Sequence, residues 1–207
     1  MKNLLLSLVA LSLLTVPAFA GVNHPQQSAT APATQSADKT PPSYDMKPQS
    51  LLDLDGMHKQ FVSLAGAIPQ EKYNYRPAEG VRSIAEVFLH VSAANYNIPN
   101  AIGAPLPAGF DPKTFEKSTT DKAQIIEWLN KSFDSAHAAI ANLTNADFAK
   151  PLPKFGPDAN YGDDIYLLVT HAHEHLGQSI AYARVNGIVP PWTAEAAAKK
   201  AQIKDKD

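Results

Sequence analysis

From Val169 to Gln178 the chain reads Val-Thr-His-Ala-His-Glu-His-Leu-Gly-Gln, which places three of its seven histidines within five residues. Neutral imidazoles are good ligands for divalent metals, and two of them four residues apart on a helix can reach one ion together. A helix turns about 100° per residue, so His171 and His175 lie about 40° apart on one face. His173 is about 200° from each and points the other way. The cluster is therefore a pair and an outlier. Spacing alone leaves two readings of the pair: part of a metal site, or two polar histidines at a rim, bonded to water or backbone. A third imidazole from another helix would complete a site that keeps an open position.

The other histidines are weighed by where their helical patterns place them. His90 sits at the edge of the stripe Ile84, Val87, Phe88, Val91 and Ala94. It can join the pair only if its helix faces theirs. His58 lies on the stripe of an earlier helix, as a fourth ligand, a proton shuttle or a residue at the edge of the core. His137 flanks a third stripe and reads as a surface residue, and His24 lies in a polar stretch. Ala172 follows His171, so the His-Glu-x-x-His arrangement of metalloproteases is absent. Glu86, one turn before His90, is the nearest candidate general base, and it is equally placed to be a helix-capping acid. Neither a nucleophile elbow nor a Gly-rich phosphate loop occurs.

Four helices must carry these residues. The first begins after Pro48, follows Leu51, Leu54, His58, Phe61, Ala65 and Ile68 at alternating steps of three and four, and stops at Pro69. Ser83 with Glu86 forms a capping box for the second, which ends near Pro99. A Pro- and Gly-rich connector covers Gly103 to Pro112. The third helix starts at Thr120 or Asp121 and buries Ile125, Ile126, Leu129, Phe133, Ala136, Ile140 and Leu143. Residues 149–162 read as a loop. The fourth helix starts near Gly162-Asp163, carries the histidine pair and closes at Asn186-Gly187, with Pro190-Pro191 beyond. Alternating runs of Val, Ile and Thr are absent, so strands are not expected. The fold class is all-α, and four amphipathic helices over residues 47–193 bury their stripes best as a four-helix bundle.

The ends are of a different character. Residues 1–20 have the pattern of a signal peptide: Lys2, an apolar run from Leu4 to Val16, and Ala18-Phe19-Ala20 as a cleavage site. Residues 21–46 are rich in Pro, Gln, Ser, Thr and Ala and read as a disordered spacer. Residues 194–207 read as a frayed, charged tail. The expectation is export, to the periplasm or the exterior, with no membrane span left after cleavage. There is no cysteine, so the domain relies on its core rather than on disulfides. With 18 basic and 20 acidic residues and no basic run, the chain lacks the electrostatic footprint of a nucleic-acid binder.

Two separated stretches carry a family resemblance. Tyr73-Asn74-Tyr75-Arg76-Pro77 followed by Ser83-Ile84-Ala85-Glu86-Val87-Phe88-Leu89-His90 resembles the first half of a DinB-like (DinB/YfiT) metalloprotein. His171-x-x-x-His175-Leu176-Gly177-Gln178, with Tyr182 to Pro191, is similar to that family's last helix and its exit. The resemblance implies a four-helix bundle with a three-histidine metal site, whose ligands by position are His90, His171 and His175. It leaves His173 out and gives Gln178 and Arg184 supporting roles. It implies a divalent ion (zinc, nickel or iron), a small-molecule substrate and frequent assembly as a homodimer. The related activities are thiol-dependent transfer and isomerisation. The functions expected are thus a metal-dependent hydrolase or thiol transferase, or alternatively a non-catalytic metal-binding or interaction module of the cell envelope.

Overall fold

The computed structural model describes residues 45–204; the expected signal peptide and the expected spacer up to residue 44 lie outside the described residues. Four long helices form the body: α1 (Met46–Ala67), α2 (Ile84–Asn100), α3 (Lys122–Ala141) and α4 (Tyr161–Val185). A further helix, α5, spans Pro191–Lys204. Among the described residues, extended pairing is confined to an isolated bridge between Pro151 and Asn160.

The caps follow from the sequence. Asp45 accepts from the Lys47 N–H and starts α1 two residues ahead of Pro48. Pro48 is tolerated because its missing N–H falls in the first turn, where no intrahelical bond would be made. Ser83 and Glu86 close the expected capping box of α2, and Asn160 with Asp163 closes another on α4. At the other end of α4, Gly187 takes φ 76°. Its N–H donates to the Arg184 carbonyl, while Ile188 N–H reaches back to Ala183, the paired bonds of a Schellman closure. The sequence predicts a frayed tail over residues 194–207, yet most of that stretch, up to Lys204, is helical as part of α5. Proline's fixed φ and missing N–H suit a first helical position, and the alanine-rich stretch behind it has high helix propensity. Nothing in α5 is fully buried.

α1 packs on α3 and α4, and α2 packs on the same two helices, so the order around the bundle is α1, α3, α2, α4. Lysines fix the direction of the first pair. Lys47 Nζ, in the first turn of α1, donates to the carbonyls of Ala141 and Leu143 at the end of α3, at 2.8 and 2.6 Å. Lys122 Nζ, opening α3, donates to Gly66 and Ile68 at the end of α1, at 2.6 and 2.9 Å. Each ammonium thus satisfies the orphan carbonyls of the opposite helix, where the helix dipole favours a cation. α1 and α3 are therefore antiparallel.

α2 and α3, in contrast, run parallel. The turn before α2 meets the start of α3 through Gln70, which donates to the Thr120 carbonyl and accepts from Lys122 N–H. At the opposite end, residues just after α2 share a groove with Ala138 and Asn142 of late α3. A parallel pair needs a return crossing, and the 17 residues of α2 set its length at about 25 Å. The connector from residue 101 to 121 makes that crossing along α2. Aromatic side chains pin it down: Phe110 and Phe115 lie 4.9 Å apart, Phe115 meets Trp128 of α3 at 4.9 Å, and Phe110 meets Tyr96 of α2 at 5.5 Å. α2 is consequently buried on most of its circumference, Leu89, Ala93 and Tyr96 included, and not only along the stripe read from its sequence.

The core is aromatic at its centre. Phe61 packs against Phe133 and edge-on to Phe88, and the buried Tyr73 lies against Phe88 while donating its hydroxyl hydrogen to the Ala65 carbonyl at 2.8 Å. Burial of each such ring stabilises the fold by about 1.5–3 kcal/mol. In α1 the fully buried apolar positions are Leu54, Met57, Phe61, Leu64 and Ala65. His58 is turned to the edge of the core by that register.

Candidate metal centre

α2 and α4 lie side by side, and the facing sides carry His90 on one helix and His171 and His175 on the other. One potential ligand nitrogen from each ring lies within 4.8 Å of those of the other two. Nε2 of His90 and Nε2 of His171 are 3.0 Å apart. The four-residue spacing on α4 brings its two ring centroids to 4.4 Å, and His90 stands 4.6 Å from His175. Tetrahedral zinc with nitrogen ligands at about 2.0–2.1 Å sets those nitrogens roughly 3.3 Å from one another, so three rings at these separations could hold such an ion.

Hydrogen bonds select which nitrogens face inward. Glu116 accepts from Nδ1 of His90 at 2.5 Å, and as a carboxylate it can only accept. Gln178 donates through its amide nitrogen to the Tyr182 hydroxyl, so its carbonyl oxygen accepts from Nδ1 of His175, at 2.8 Å. Both rings therefore carry their proton on Nδ1 and leave the Nε2 lone pair available, the tautomer a metal ligand needs. His171 Nδ1 is buried and has no hydrogen-bond partner among the described residues. The Glu116 carboxylate is itself gripped by Arg82, whose Nε and Nη2 donate at 2.7 and 3.2 Å.

The electrostatics favour neutral rings at His171 and His90. Burial, followed by the neighbouring His175 and His90, pushes the His171 pKa down to about 4. Burial also lowers that of His90, with the Glu116 contact partly opposing it. Burial works against ionised Glu116, but the bonds from Arg82 and His90 prevail and keep its pKa below the ordinary carboxylate value. Neutral imidazoles beside an ionised, arginine-held carboxylate make a donor set suited to a divalent cation.

The remaining sequence candidates fall elsewhere. His173 and Glu174 are exposed on the far side of α4. His58 stacks on Phe133 at 5.0 Å and bonds to Asn130 Oδ1 at 2.8 Å, outside the cluster. His137 pairs with Asp55 at 3.6 Å across the surface of α1 and α3. Arg184 is exposed in the last turn of α4. Glu86 is engaged as a capping acid: its carboxylate accepts from Ser83 N–H and from Arg76, and it bonds to none of the three histidines. Burial pushes its pKa up, but the Ser83 and Arg76 bonds outweigh this and lower it. The carboxylate that does touch the cluster, Glu116, was missed, and so was Arg82. The available signal was faint: Phe115-Glu116, an aromatic residue beside an acid in an otherwise polar connector.

A cleft of about 600 Å³ adjoins the cluster, lined by Arg76, Arg82, Glu86, Glu116, Lys117 and Gln178 among others. It includes both residues that hold the Nδ1 atoms of His90 and His175.

Comparisons with known proteins agree with this architecture. No curated protein matches the chain. Among solved structures, a DinB-like protein from Bacillus cereus ATCC 10987 aligns with a TM-score of 0.61 at 17% identity, covering 70% of this chain and 95% of that one. A conserved protein from Enterococcus faecalis aligns with a TM-score of 0.57 at 15% identity, over 69% and 97% of the two chains. YfiT from Bacillus subtilis, described as a probable metal-dependent hydrolase with an unusual four-helix bundle topology, aligns with a TM-score of 0.56 at 15% identity, over 72% and 91%. At these identities the likeness is one of fold. The sequence model of the DinB superfamily matches residues 53–179, from the first turns of α1 to beyond the histidine pair. The chain belongs to the DinB superfamily.

Proposed function

We propose that His90, His171 and His175 bind a divalent metal ion and that the protein is an exported metal-dependent hydrolase. The observation that carries this reading is the convergence of three imidazoles, two of them with Nδ1 already occupied by Glu116 and Gln178, beside an open cleft. The description of YfiT as a probable metal-dependent hydrolase supports the same class of activity. Export rests on the signal-peptide pattern of residues 1–20.

The chemistry the ion supplies when bound is Lewis-acid activation of water or of a substrate oxygen. The chain's own residues do the rest. Glu116 orients His90 and offsets positive charge at the centre, while Arg82 keeps that carboxylate ionised and fixed. Gln178 orients His175 and is anchored on Tyr182. Ala172, Leu168 and the α2 core exclude water from the interior side, leaving the cleft as the approach.

One observation favours a second reading, a non-catalytic metal-binding module: both carboxylates lining the cleft are engaged, Glu86 by Ser83 and Arg76, Glu116 by Arg82 and His90. Neither is free to take a proton from water. Elemental analysis of the purified protein, followed by screening of ester, amide and thiol substrates before and after chelation, separates the readings. Near one metal per chain and turnover that chelation removes and re-addition restores is the expected result. Full metal with no turnover selects the module, and absence of any divalent metal binding sinks both.

A further inference from the structure

The cleft beside the histidines has a charge pattern that the metal reading does not use. Its lining brings three cations, Arg76, Arg82 and Lys117, together with two carboxylates, Glu86 and Glu116. The two carboxylates are saturated from behind. Arg76 closes on Glu86 and on the Val81 carbonyl, and Arg82 forks onto Glu116 through Nε and Nη2. The Lys117 side chain is exposed and makes no hydrogen bond or close ion pair among the described residues, its charge acting on Glu86 only at longer range, and Nη1 of Arg82 has no partner there either. A molecule entering the cleft thus meets unsatisfied donors and a surplus positive charge.

We propose that this cleft is an anion-binding subsite, in which Lys117 and the outer edge of the Arg82 guanidinium hold a carboxylate or phosphate group of the substrate beside the histidine cluster. An arginine edge suits planar or tetrahedral oxyanions, and a flexible lysine adds a point charge that adapts to either. The volume, about 600 Å³, matches a small metabolite-sized ligand and is far below a macromolecular interface. The location gives the subsite its purpose. Arg82 reaches the anion with one edge and Glu116 with the other, and Glu116 holds His90, so the bound group is tied to the ligand set through a continuous chain of charge-assisted bonds. The substrate role rests on the metal reading above, whereas anion binding in the cleft does not.

The test follows amide chemical shifts of the protein, with and without zinc, during titration with inorganic phosphate, succinate and uncharged succinamide. Phosphate or succinate is expected to produce saturable shifts at Gly80, Val81, Lys117 and Gln178 in both forms, and succinamide none. Lys117→Glu should weaken binding on the order of tenfold or more, with zinc content unchanged. Lys59→Glu, an equal change of charge on the exposed side of α1, should leave it unaltered. Whichever anion binds more tightly assigns the group as phosphate or carboxylate. The proposal is overturned by silence at the cleft, by equal response to succinamide, by equal behaviour of the two variants, or by shifts confined to the zinc-loaded histidines. Zinc binding without a cleft response removes the subsite and leaves the metal reading. A cleft response in a protein that takes up no zinc does the reverse.

Discussion

α4 carries polar groups into the bundle interior at two levels, and the surroundings of the two differ sharply. In its first turns stands Asp164, 1% exposed, with no hydrogen-bond partner on either carboxylate oxygen among the described residues. Further along the same face, beyond Leu168, stand His171 and His175, joined by His90, Glu116 and Gln178. Burial drives both levels toward neutrality. It pushes the Asp164 carboxyl up to about 7, with the positive charge of Lys154 acting in the opposite sense, and His171 down to about 4. A shifted pKa is therefore common to both places and does not tell them apart. What distinguishes the histidine level is convergence: several rings aimed at one point and partners that fix their tautomers.

The largest effect expected from this contrast is on metal binding. Alanine at His90, His171 or His175 should each abolish stoichiometric uptake, a larger loss than the roughly 10–100-fold typical of outer hydrogen-bond partners. Chelator competition measures it, and full occupancy in the His90→Ala protein would break the comparison at its centre.

Asp164→Asn probes the other level through stability. Below about pH 4 the carboxyl is protonated in both folded and unfolded chains. Between pH 4 and 7 the unfolded chain releases the proton while the folded one keeps it, so stability declines as pH rises and the full cost is reached above 7. The variant has no such cost and should be more stable at pH 8, by up to about 4 kcal/mol, with the gap closing toward pH 4. Denaturant unfolding at the two pH values reads this. A gap independent of pH would mean that Asp164 has charge partners as good as those of the histidines.

Glu116→Gln leaves the shape at His90 but removes the carboxylate charge. Metal affinity should fall by roughly 10–100-fold without loss of the helical fold. An unchanged affinity would show that the connector contributes nothing to the centre. The smallest effect is expected for His173→Ala, since that ring is exposed on the opposite side of the helix. Its metal affinity should equal that of the parent, and any clear loss would mean that the rotation of α4 is misassigned.

Most of the helices were legible from local pattern. The capping box at Ser83 and Glu86, the Asp121 start of α3 and the Gly187 closure of α4 depend on neighbours within a few residues, which a sequence displays directly. The exclusion of His173 follows from helical angle alone. The register of α1 was less legible: Met57 and His58 are adjacent, and both fit a spacing of three or four with their neighbours. Tertiary packing decides that the Met57 thioether is buried and that the His58 imidazole lies at the edge, stacked on Phe133. The sequence of α2 shows a one-sided stripe, because nothing local reveals that a connector covers its other side.

Local pattern suffices for the four amphipathic helices and for the pairing of His171 with His175, and family resemblance adds His90. Helical periodicity is a local property, written every three or four residues. The parallel run of α2 and α3, the return crossing of residues 101–121 that it requires, and the delivery of Glu116 to His90 and of Lys117 to the cleft are set by long-range packing. Those contacts join residues 26 positions and more apart in the chain. They arise from burying aromatic side chains such as Phe115 against α3, and no spacing rule carries that information along the sequence.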